Sequence, residues 1–228
     1  MIRFKPHCAL LSVSGVLLLA GCALRDPWAG APEFEISYFS PRSESAPVGT
    51  FLGDGNFLMG WNILGPVAPG GNGGLHAELL PEENVLCGSR NAPQDARWHR
   101  LLARNEGPDA VPGQVDFSRL FLEKPSAKAP SVFYACLTLQ CDSEYGGLVL
   151  NAGSCGKLKV WINGHPVYSY ENGNRPLKPD TDKVEGIILR KGYNRIVVKY
   201  MDNEGDYRNS RKFCLRFTDA AGQPARVR

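Results

Sequence analysis

The segment KVWING at residues 159–164 is the part of the sequence that decides the fold. Its side chains alternate, so that Val160 and Ile162 lie on one face and Lys159 and Trp161 on the other, as in a strand with one buried face. The Asn-Gly pair at its end suits a two-residue turn in which both central residues have positive φ. The segment therefore predicts a β-hairpin.

The same pattern extends through the C-terminal half of the chain. Seven short segments there are rich in β-branched or aromatic residues and are bounded by Gly, Asn or Asp. They span residues 131–141, 147–151, 157–162, 166–170, 184–189, 194–202 and 211–218. The best candidates for helices are residues 96–104 and 117–122. Because 25 Gly and 17 Pro also supply many turns, we predict an all-β fold, an antiparallel β-sandwich.

The N-terminus resembles a bacterial lipoprotein signal peptide. Arg3 and Lys5 precede an apolar run of about a dozen residues, which is too short to span a bilayer. The run ends in LAGC at residues 19–22, which is similar to the lipobox, where a peptidase cuts before a cysteine that carries diacylglycerol. We therefore predict that residues 1–21 are removed and that Cys22 is lipidated. An ordinary secretory leader is the alternative.

Lipidation implies a place in the bacterial cell envelope. Ala23 follows the cysteine where an inner-membrane retention signal has Asp, which favours the outer membrane. Residues 22–50 are interrupted by prolines, which prevent a helix from propagating, so we expect a lipidated N-terminus and a Pro/Ser-rich tether. The folded domain is predicted over residues 51–222, followed by a C-terminal tail at 223–228.

Several motifs resemble a galactose-binding-domain-like jelly roll, a module of secreted bacterial proteins and glycoside hydrolases. They are KVWING at 159–164, the strand segment 182–189, RKGYNRIVVK at 190–199, WNILGP at 61–66, Trp98, and VDF at 115–117. The resemblance covers about residues 57–220 and implies a jelly-roll sandwich. Where the module often carries an Asp-Asp pair before KVWING, this sequence has Gly153-Ser154-Cys155-Gly156.

The overall charge argues against nucleic acid as a partner. The chain has 26 Lys and Arg and 23 Asp and Glu, and two of the basic residues lie in the predicted leader. The mature chain is therefore close to neutral, and a near-neutral surface has no long-range attraction for phosphate backbones.

No motif for catalysis or metal binding stands out, so we expect neither enzymatic activity nor a cofactor. Three histidines follow the leader, His76, His99 and His165, and they form no HExxH or Cys2His2 spacing. The G-x-S-x-G elbow of serine hydrolases is also missing from the sequence.

Two groups of acidic residues leave a glycosidase and a Ca²⁺ site open as alternatives. Glu78, Glu82 and Glu83 offer the paired carboxylates of a glycosidase, although a solvated acidic loop is the simpler interpretation. Asp180 and Asp182 offer oxygen ligands for Ca²⁺, but they lack the Gly and the terminal Glu of a known calcium loop.

Six residues in or beside loops are candidates for carbohydrate contact. They combine aromatic faces with amide, carboxylate and guanidinium groups, and they are Tyr168, Tyr170, Asn174, Arg175, Asp206 and Tyr207. We therefore predict a non-catalytic envelope lipoprotein whose domain binds a polysaccharide. The alternative is a structural or assembly module that docks onto another envelope protein without sugar binding.

Five cysteines remain after leader removal and lipidation of Cys22, and they are Cys87, Cys136, Cys141, Cys155 and Cys214. The exported compartment is oxidising, but the odd count leaves one thiol unpaired. We favour a Cys141–Cys155 disulfide, because these two flank the same short strand. Cys136–Cys214 is the second predicted pair, since both lie on the non-core faces of their strands, and Cys87 is left free.

The lipid anchor gives the first testable prediction. Cys22→Ser removes the thiol that accepts the diacylglycerol, so metabolic lipid labelling should be lost and the precursor should stay uncleaved by the lipoprotein peptidase. Detergent partition of membranes from both strains measures this. A mutant retained in the membrane as well as the parent would contradict the prediction.

Overall fold

The structure is a computed structural model that describes residues 52, 54–67, 69, 71–80, 98–103, 110–120, 131–202 and 211–225. The predicted leader, Cys22 and the tether lie outside these residues. Among the described residues, no helix has the length and apolar character needed to cross a membrane.

Ten strands account for most of the described chain. In chain order they are β1 (Gly60–Val67), β2 (Trp98–Leu102), β3 (Val115–Asp116), β4 (Val132–Cys141), β5 (Tyr145–Ser154), β6 (Lys157–Ile162), β7 (His165–Tyr170), β8 (Asp182–Leu189), β9 (Gly192–Met201) and β10 (Lys212–Thr218). Short 3-10 helices lie at Asp54–Asn56, Gly71–His76 and Phe117–Leu120. All seven predicted strand segments are present, with their ends moved by a few residues.

The strands form two antiparallel sheets that pack into a sandwich, so the predicted fold class is confirmed. The first sheet has six strands in the order β2-β1-β4-β9-β6-β7, and the second has four in the order β3-β10-β5-β8. β4 and β9 pair along their whole length, from Val132 opposite Met201 to Cys141 opposite Gly192. β7 and β8 are therefore edge strands, one in each sheet.

The predicted helix at residues 96–104 is wrong, because β2 occupies Trp98–Leu102. This strand pairs with β1, from Leu64 opposite Trp98 to Gly60 opposite Leu102. Pairing with a neighbouring strand outweighs local helix propensity here. The second predicted helix, at 117–122, is a 3-10 turn over Phe117–Leu120.

Aromatic rings fill the space between the two sheets. The Phe117 ring stacks on Phe133 with a centroid distance of 4.6 Å and lies 5.0 Å from the Tyr200 ring. Phe213 of the second sheet meets Trp61 of the first edge-to-face at 5.2 Å. Each such pair contributes about 0.5–1.5 kcal/mol beyond the burial of its area. The core therefore joins the sheets through rings contributed by both.

A second apolar cluster covers the outer face of the six-stranded sheet. Its buried members are Leu64, Leu75, Leu80, Val132, Tyr134, Cys136, Trp161, Val197 and Met201. Leu75 and Leu80 come from the segment 71–80, which lies over the sheet. Lys199 is fully buried here, and its Nζ donates a hydrogen bond to the carbonyl of Ala77. Both faces of this sheet are thus packed in this region.

The predicted hairpin is confirmed. Asn163 and Gly164 have φ values of 53° and 85°, and they connect β6 to β7. The Asn163 side chain also donates to Asn194 Oδ1 at 2.9 Å and accepts from the Arg195 backbone N–H at 2.9 Å. Asn194 in turn donates to the Arg190 carbonyl at 2.8 Å and accepts from the Arg190 N–H at 3.0 Å. The two asparagines therefore tie the β6–β7 turn to the β8–β9 turn.

The sandwich extends beyond the predicted boundary at residue 222. Pro224 forms a bridge with Thr218, and the Ala225 N–H donates to the Phe217 carbonyl at 3.3 Å. Ala225 is only 5% exposed. Residues 223–225 therefore belong to the domain rather than to a tail.

Both predicted disulfides are wrong, because Cys141, Cys155 and Cys214 are free, buried thiols. Cys136 is disulfide-bonded, but Cys214, its predicted partner, is not. The predicted free Cys87 lies outside the described residues. Burial raises the pKa of Cys214 to about 12, so its thiol is protonated at neutral pH.

Strand length and sheet membership explain these errors. β5 is ten residues long and separates Cys141 from Cys155 by about 30 Å, whereas a disulfide needs Cα atoms within about 7 Å. Cys136 lies on the outer face of the six-stranded sheet. Cys214 belongs to the other sheet, where its neighbours Phe213 and Leu215 are fully buried. The sulfur atoms of Cys136 and Cys214 therefore lie on opposite outer faces of the sandwich.

The hairpin geometry gives a second prediction. Gly164→Val places a β-branched residue at φ 85° and should lower the free energy of unfolding by about 1–2 kcal/mol or more. Urea denaturation of the soluble domain measures the change. Gly146→Val is the matched control, because a Cβ at Gly146 meets nothing within 4 Å and its φ lies outside the positive range. Equal effects of the two substitutions would contradict the assigned role of the turn.

Candidate functional site

The four described candidates for carbohydrate contact, Tyr168, Tyr170, Asn174 and Arg175, lie where the chain passes from one sheet to the other. β7 is an edge strand of the first sheet and β8 is an edge strand of the second, and residues 171–181 connect them. Tyr168 and Tyr170 pair with Val160 and Leu158, whose side chains are fully buried between the sheets. Since partners across an antiparallel ladder share a face, both tyrosine rings point towards the gap between the two edge strands.

A set of hydrogen bonds closes this gap, and we call its four members, Tyr168, Arg175, Asp182 and Ser154, the edge clasp. The Tyr168 hydroxyl donates to Asp182 Oδ2 at 2.6 Å. Arg175 Nη1 donates to Asp182 Oδ1 at 3.1 Å, and Nη2 donates to Oδ2. Arg175 Nε donates to the Ser154 carbonyl at 3.0 Å. The clasp therefore joins β7, the connecting segment, β8 and β5.

Tyr170 lies against the edge clasp. Its hydroxyl donates to the Gly173 carbonyl at 3.2 Å, and the Arg175 guanidinium carbon lies 3.6 Å from the centre of its ring. At this distance a cation is attracted to the electron-rich face of the ring. One face of Tyr170 is therefore covered by Arg175, and only the rest of this half-buried ring borders solvent.

The electrostatics of the clasp favour its charged form. Burial alone would raise the pKa of Asp182, but hydrogen bonds from Arg175 and Tyr168 and the charge of Arg175 together lower it. Burial and the hydrogen bond to Asp182 raise the pKa of Tyr168, so its hydroxyl stays protonated and donates. The side chains of Arg175 and Asp182 are 18% and 24% exposed, so the ion pair sits at the border of solvent.

The two aspartates considered as Ca²⁺ ligands point to different partners. Asp182 is held in the edge clasp, whereas Asp180 accepts a hydrogen bond from Arg216 Nε at 2.8 Å on the outer side of the second sheet. Each carboxylate is thus engaged by a guanidinium. Among the described residues, no group of three or more His, Cys, Asp or Glu side chains is placed to hold a metal ion.

Asp206 and Tyr207 lie outside the described residues, but the chain on either side of them is described. The ion pair between Arg211 and Asp202, 2.8 Å apart and buried, brackets residues 203–210. The Arg175 N–H donates to the Cys155 carbonyl at 3.3 Å, and the Cys155 N–H donates to the Lys212 carbonyl at 3.0 Å. Lys212, which follows the undescribed residues 203–210, is therefore linked through Cys155 to the 171–181 segment.

Sequence reasoning identified part of this arrangement. The structure brings Tyr168, Tyr170 and Arg175 together and places exposed Asn174 next to them, with φ 54°. Asp182 was considered only for Ca²⁺, although it holds the clasp together. One sequence signal could have identified this role of Asp182. It was a carboxylate at the start of an edge strand, with an arginine in the loop before it.

Other candidates lie elsewhere or outside the described chain. Trp161, interpreted from the sequence as a packed aromatic, is 2% exposed. His76 is 2.9 Å from a carboxylate oxygen of Glu171 on the protein surface. Glu78 is exposed, and the two other glutamates of the glycosidase alternative, Glu82 and Glu83, are not described.

Comparison with known proteins gives only distant similarities. No protein-family model matches the sequence, and no curated protein matches it. A β-glucosidase from Kluyveromyces marxianus in complex with glucose is similar over 72% of this chain and 17% of its own, with 12% identity and a TM-score of 0.41. A β-glucuronidase from an uncultured Clostridium sp. is similar over 72% of this chain and 29% of its own, with 12% identity and a TM-score of 0.43.

A third similar structure is a family 35 carbohydrate binding module from Clostridium thermocellum. It matches 47% of this chain and 93% of its own length, with 14% identity and a TM-score of 0.24. This chain thus spans less than a third of either glycosidase. Similarities this distant do not reveal a shared function.

The edge clasp predicts a pH-dependent stability. Because the pKa of Asp182 is lower in the folded protein than in the unfolded chain, its contribution is present above about pH 4 and is lost as the pH falls through the folded value. Asp182→Asn should therefore lower the free energy of unfolding by about 1 kcal/mol at about pH 7, and by less at about pH 3.

Urea denaturation at both pH values measures this difference. Glu185→Gln is the control, since Glu185 is exposed on the same strand. A loss for Asp182→Asn that is the same at both pH values would show that the ion pair contributes nothing.

Proposed function

We propose that this protein is a non-catalytic, lipid-anchored envelope protein whose sandwich binds a polysaccharide at the β7–β8 edge. The observation that carries the proposal is the Tyr170 ring stacked on Arg175 at 3.6 Å and held there by the edge clasp. Sugars are recognised by aromatic and polar groups together, which contact the C–H face and the hydroxyls of the ring.

Exposed amides suited to sugar hydroxyls follow this ring along the chain. Asn172 and Asn174 are exposed and lie between Tyr170 and Arg175 in the sequence. An amide offers both a donor and an acceptor, and a hydroxyl group of a sugar needs both. We therefore place the ligand along residues 170–174, against the uncovered part of the Tyr170 ring.

Rigidity supports the same location. Arg175 donates hydrogen bonds to β5 and β8, both in the second sheet, and it covers the Tyr170 ring of β7 in the first sheet, so the adjoining segment is anchored at both sheets. A binding surface that is ordered before the ligand arrives loses less conformational entropy on binding.

Cys22 and residues 22–50 complete the proposal. Acylation of Cys22 would hold the protein at the envelope membrane, since each buried methylene contributes about 0.8 kcal/mol. A tether of this composition would let the domain reach polysaccharide beyond the membrane surface. We propose the outer membrane as its location.

Docking onto another envelope protein is the second candidate function, and one observation favours it. Ile188 on edge strand β8 is 59% exposed, and it is the one large hydrophobic side chain with such exposure in the part of the chain that the structure describes. A partner that adds a strand to β8 would cover it. A single exposed side chain is common on protein surfaces, so carbohydrate binding stays the first proposal.

A glycan array with the soluble chain from residue 46 tests the proposed function. Tyr170→Ala, Asn172→Ala and Asn174→Ala, made one at a time, should weaken binding about five-fold or more for at least one of them, which corresponds to about 1 kcal/mol. Tyr168 is left intact, because its hydroxyl holds the clasp together.

Ile188→Ser is the control, since Ile188 is exposed but lies outside residues 170–174. It should leave glycan binding unchanged. The proposal fails if no glycan binds at millimolar concentration, or if all three site variants bind as well as the parent. In either case docking through the β8 edge becomes the leading candidate.

A further inference from the structure

We infer that Gly153 is a positioning residue of the candidate site. Because it has no side chain, residues 175–181 can lie directly on the second sheet, and this placement holds Arg175 against Tyr170. We call residues 175–181 the strap. The part of the inference that concerns ligand binding rests on the proposed function, whereas the placement of the strap does not.

The strap covers part of the outer face of the second sheet. Gly153 of β5 and Cys214 of β10 are partners across the ladder, so a side chain at either position would point to the same face. A Cβ placed on Gly153 would lie 3.0 Å from Cys214 Sγ and 3.1 Å from the Lys178 carbonyl carbon, and it would collide with the Lys178 carbonyl oxygen. Cys214 is only 1% exposed. The backbone of the strap at Lys178 therefore lies over this ladder pair.

The end of β5 receives the strap at three consecutive residues. Next to the Gly153 contact, the Arg175 Nε donates to the Ser154 carbonyl at 3.0 Å. The Arg175 backbone N–H donates to the Cys155 carbonyl at 3.3 Å, and the Leu177 backbone N–H donates to Cys155 Sγ. These three residues belong to the segment 153–156, in which the sequence departs from the jelly-roll motif. The departure therefore coincides with the contact surface for the strap.

The strap is also held along its length. The edge clasp fixes it at Arg175, and at its other end Asp180 accepts a hydrogen bond from Arg216 Nε at 2.8 Å. Between them, the Thr181 hydroxyl donates to the Lys178 carbonyl at 2.7 Å. This carbonyl cannot turn aside without changing these contacts. An atom added beneath it would therefore displace the strap.

Glycine is required at position 153 for space and not for backbone conformation. The φ of Gly153 lies outside the positive range, so alanine is compatible with the strand itself. Alanine is incompatible with the strap, because the atom that it meets belongs to the backbone. A displacement at Lys178 would reach Arg175, whose guanidinium carbon lies 3.6 Å from the centre of the Tyr170 ring. Gly153 thus acts on the candidate site through the strap.

Three free thiols can report whether the strap has moved. Cys155 and Cys214 lie beneath the strap, whereas Cys141 lies at the end of β4, where Asn194 Nδ2 donates to its Sγ at 3.4 Å. Burial raises the pKa of all three thiols, so each reacts slowly with a maleimide while it is covered. A displaced strap would speed the labelling of Cys155 and Cys214 only. Global unfolding would speed the labelling of all three.

Gly153→Ala, with Gly146→Ala as its control, tests the inference. Gly146 lies on the same strand, and a Cβ there meets nothing within 4 Å. The purified proteins are labelled with N-ethylmaleimide at neutral pH, and peptide mass spectrometry gives the rate at each cysteine. Gly153→Ala should raise the rates of Cys155 and Cys214 about ten-fold relative to Cys141, and Gly146→Ala should change none of them.

Asp180→Asn tests the strap without adding an atom to the sheet, and it decides the question if Gly153→Ala does not fold. It removes the charge that pairs with Arg216, so Cys155 and Cys214 should be labelled several-fold faster while Cys141 keeps its rate. An unchanged ratio of Cys214 to Cys141 in the folded variants would overturn the inference. Equal acceleration of all three thiols would also overturn it.

The glycan array connects the strap to the proposed function. Where the parent protein binds a glycan, folded Gly153→Ala should bind it about five-fold more weakly, and Gly146→Ala should bind it as well as the parent. Faster labelling of Cys214 with unchanged glycan binding would overturn the positioning role. An array on which the parent binds nothing would overturn the proposed function and the ligand part of the inference, while the thiol rates would still decide how the strap is placed.

Discussion

The hydrogen bond between the side chains of Asn163 and Asn194 joins the two turns on which the chain path depends. Asn163 lies in the hairpin of the first sheet, and Asn194 holds the turn by which the chain returns from β8 in the second sheet to β9 in the first. Asn194 is fully buried, and its amide makes bonds to both turns. An apolar residue at either position would leave buried polar groups without partners, at about 1–3 kcal/mol each. The KVWING and KGYN motifs are therefore structural signatures of one crossing between sheets.

The edge clasp performs the corresponding task at another crossing, where the chain leaves β7 and enters β8. The two devices differ in chemistry. The asparagine pair is buried and neutral, whereas Arg175 and Asp182 form an ion pair at the border of solvent. Only the second leaves side chains near the surface in fixed positions. A binding function is therefore easier to place at the β7–β8 end than at the hairpin end.

The features that could be predicted from the sequence are those that depend on residues close together along the chain. Alternation gave all seven strands of the C-terminal half, and Asn163-Gly164 gave the hairpin, because both depend on neighbours along the chain. Contacts between distant segments were not predictable in this way. The Cys136–Cys214 pairing was predicted from the alternation of side chains along each strand, but β4 and β10 lie in different sheets. Asp182 was likewise missed as the partner of Tyr168, since their contact requires two edge strands to face each other.

The closure of the β7–β8 edge also affects self-association of the protein at high local concentration. Exposed edge strands invite pairing with a second chain. The lipid anchor that we propose would favour such pairing, because it would concentrate the protein in two dimensions. The segment 171–181 links the two edges, Lys183 and Glu185 place charges along β8, and Gly186 interrupts that strand with φ 74°. Bulges and charges of this kind discourage sheet-to-sheet association. The closed β7–β8 edge therefore orders the candidate site and also disfavours self-association of the protein.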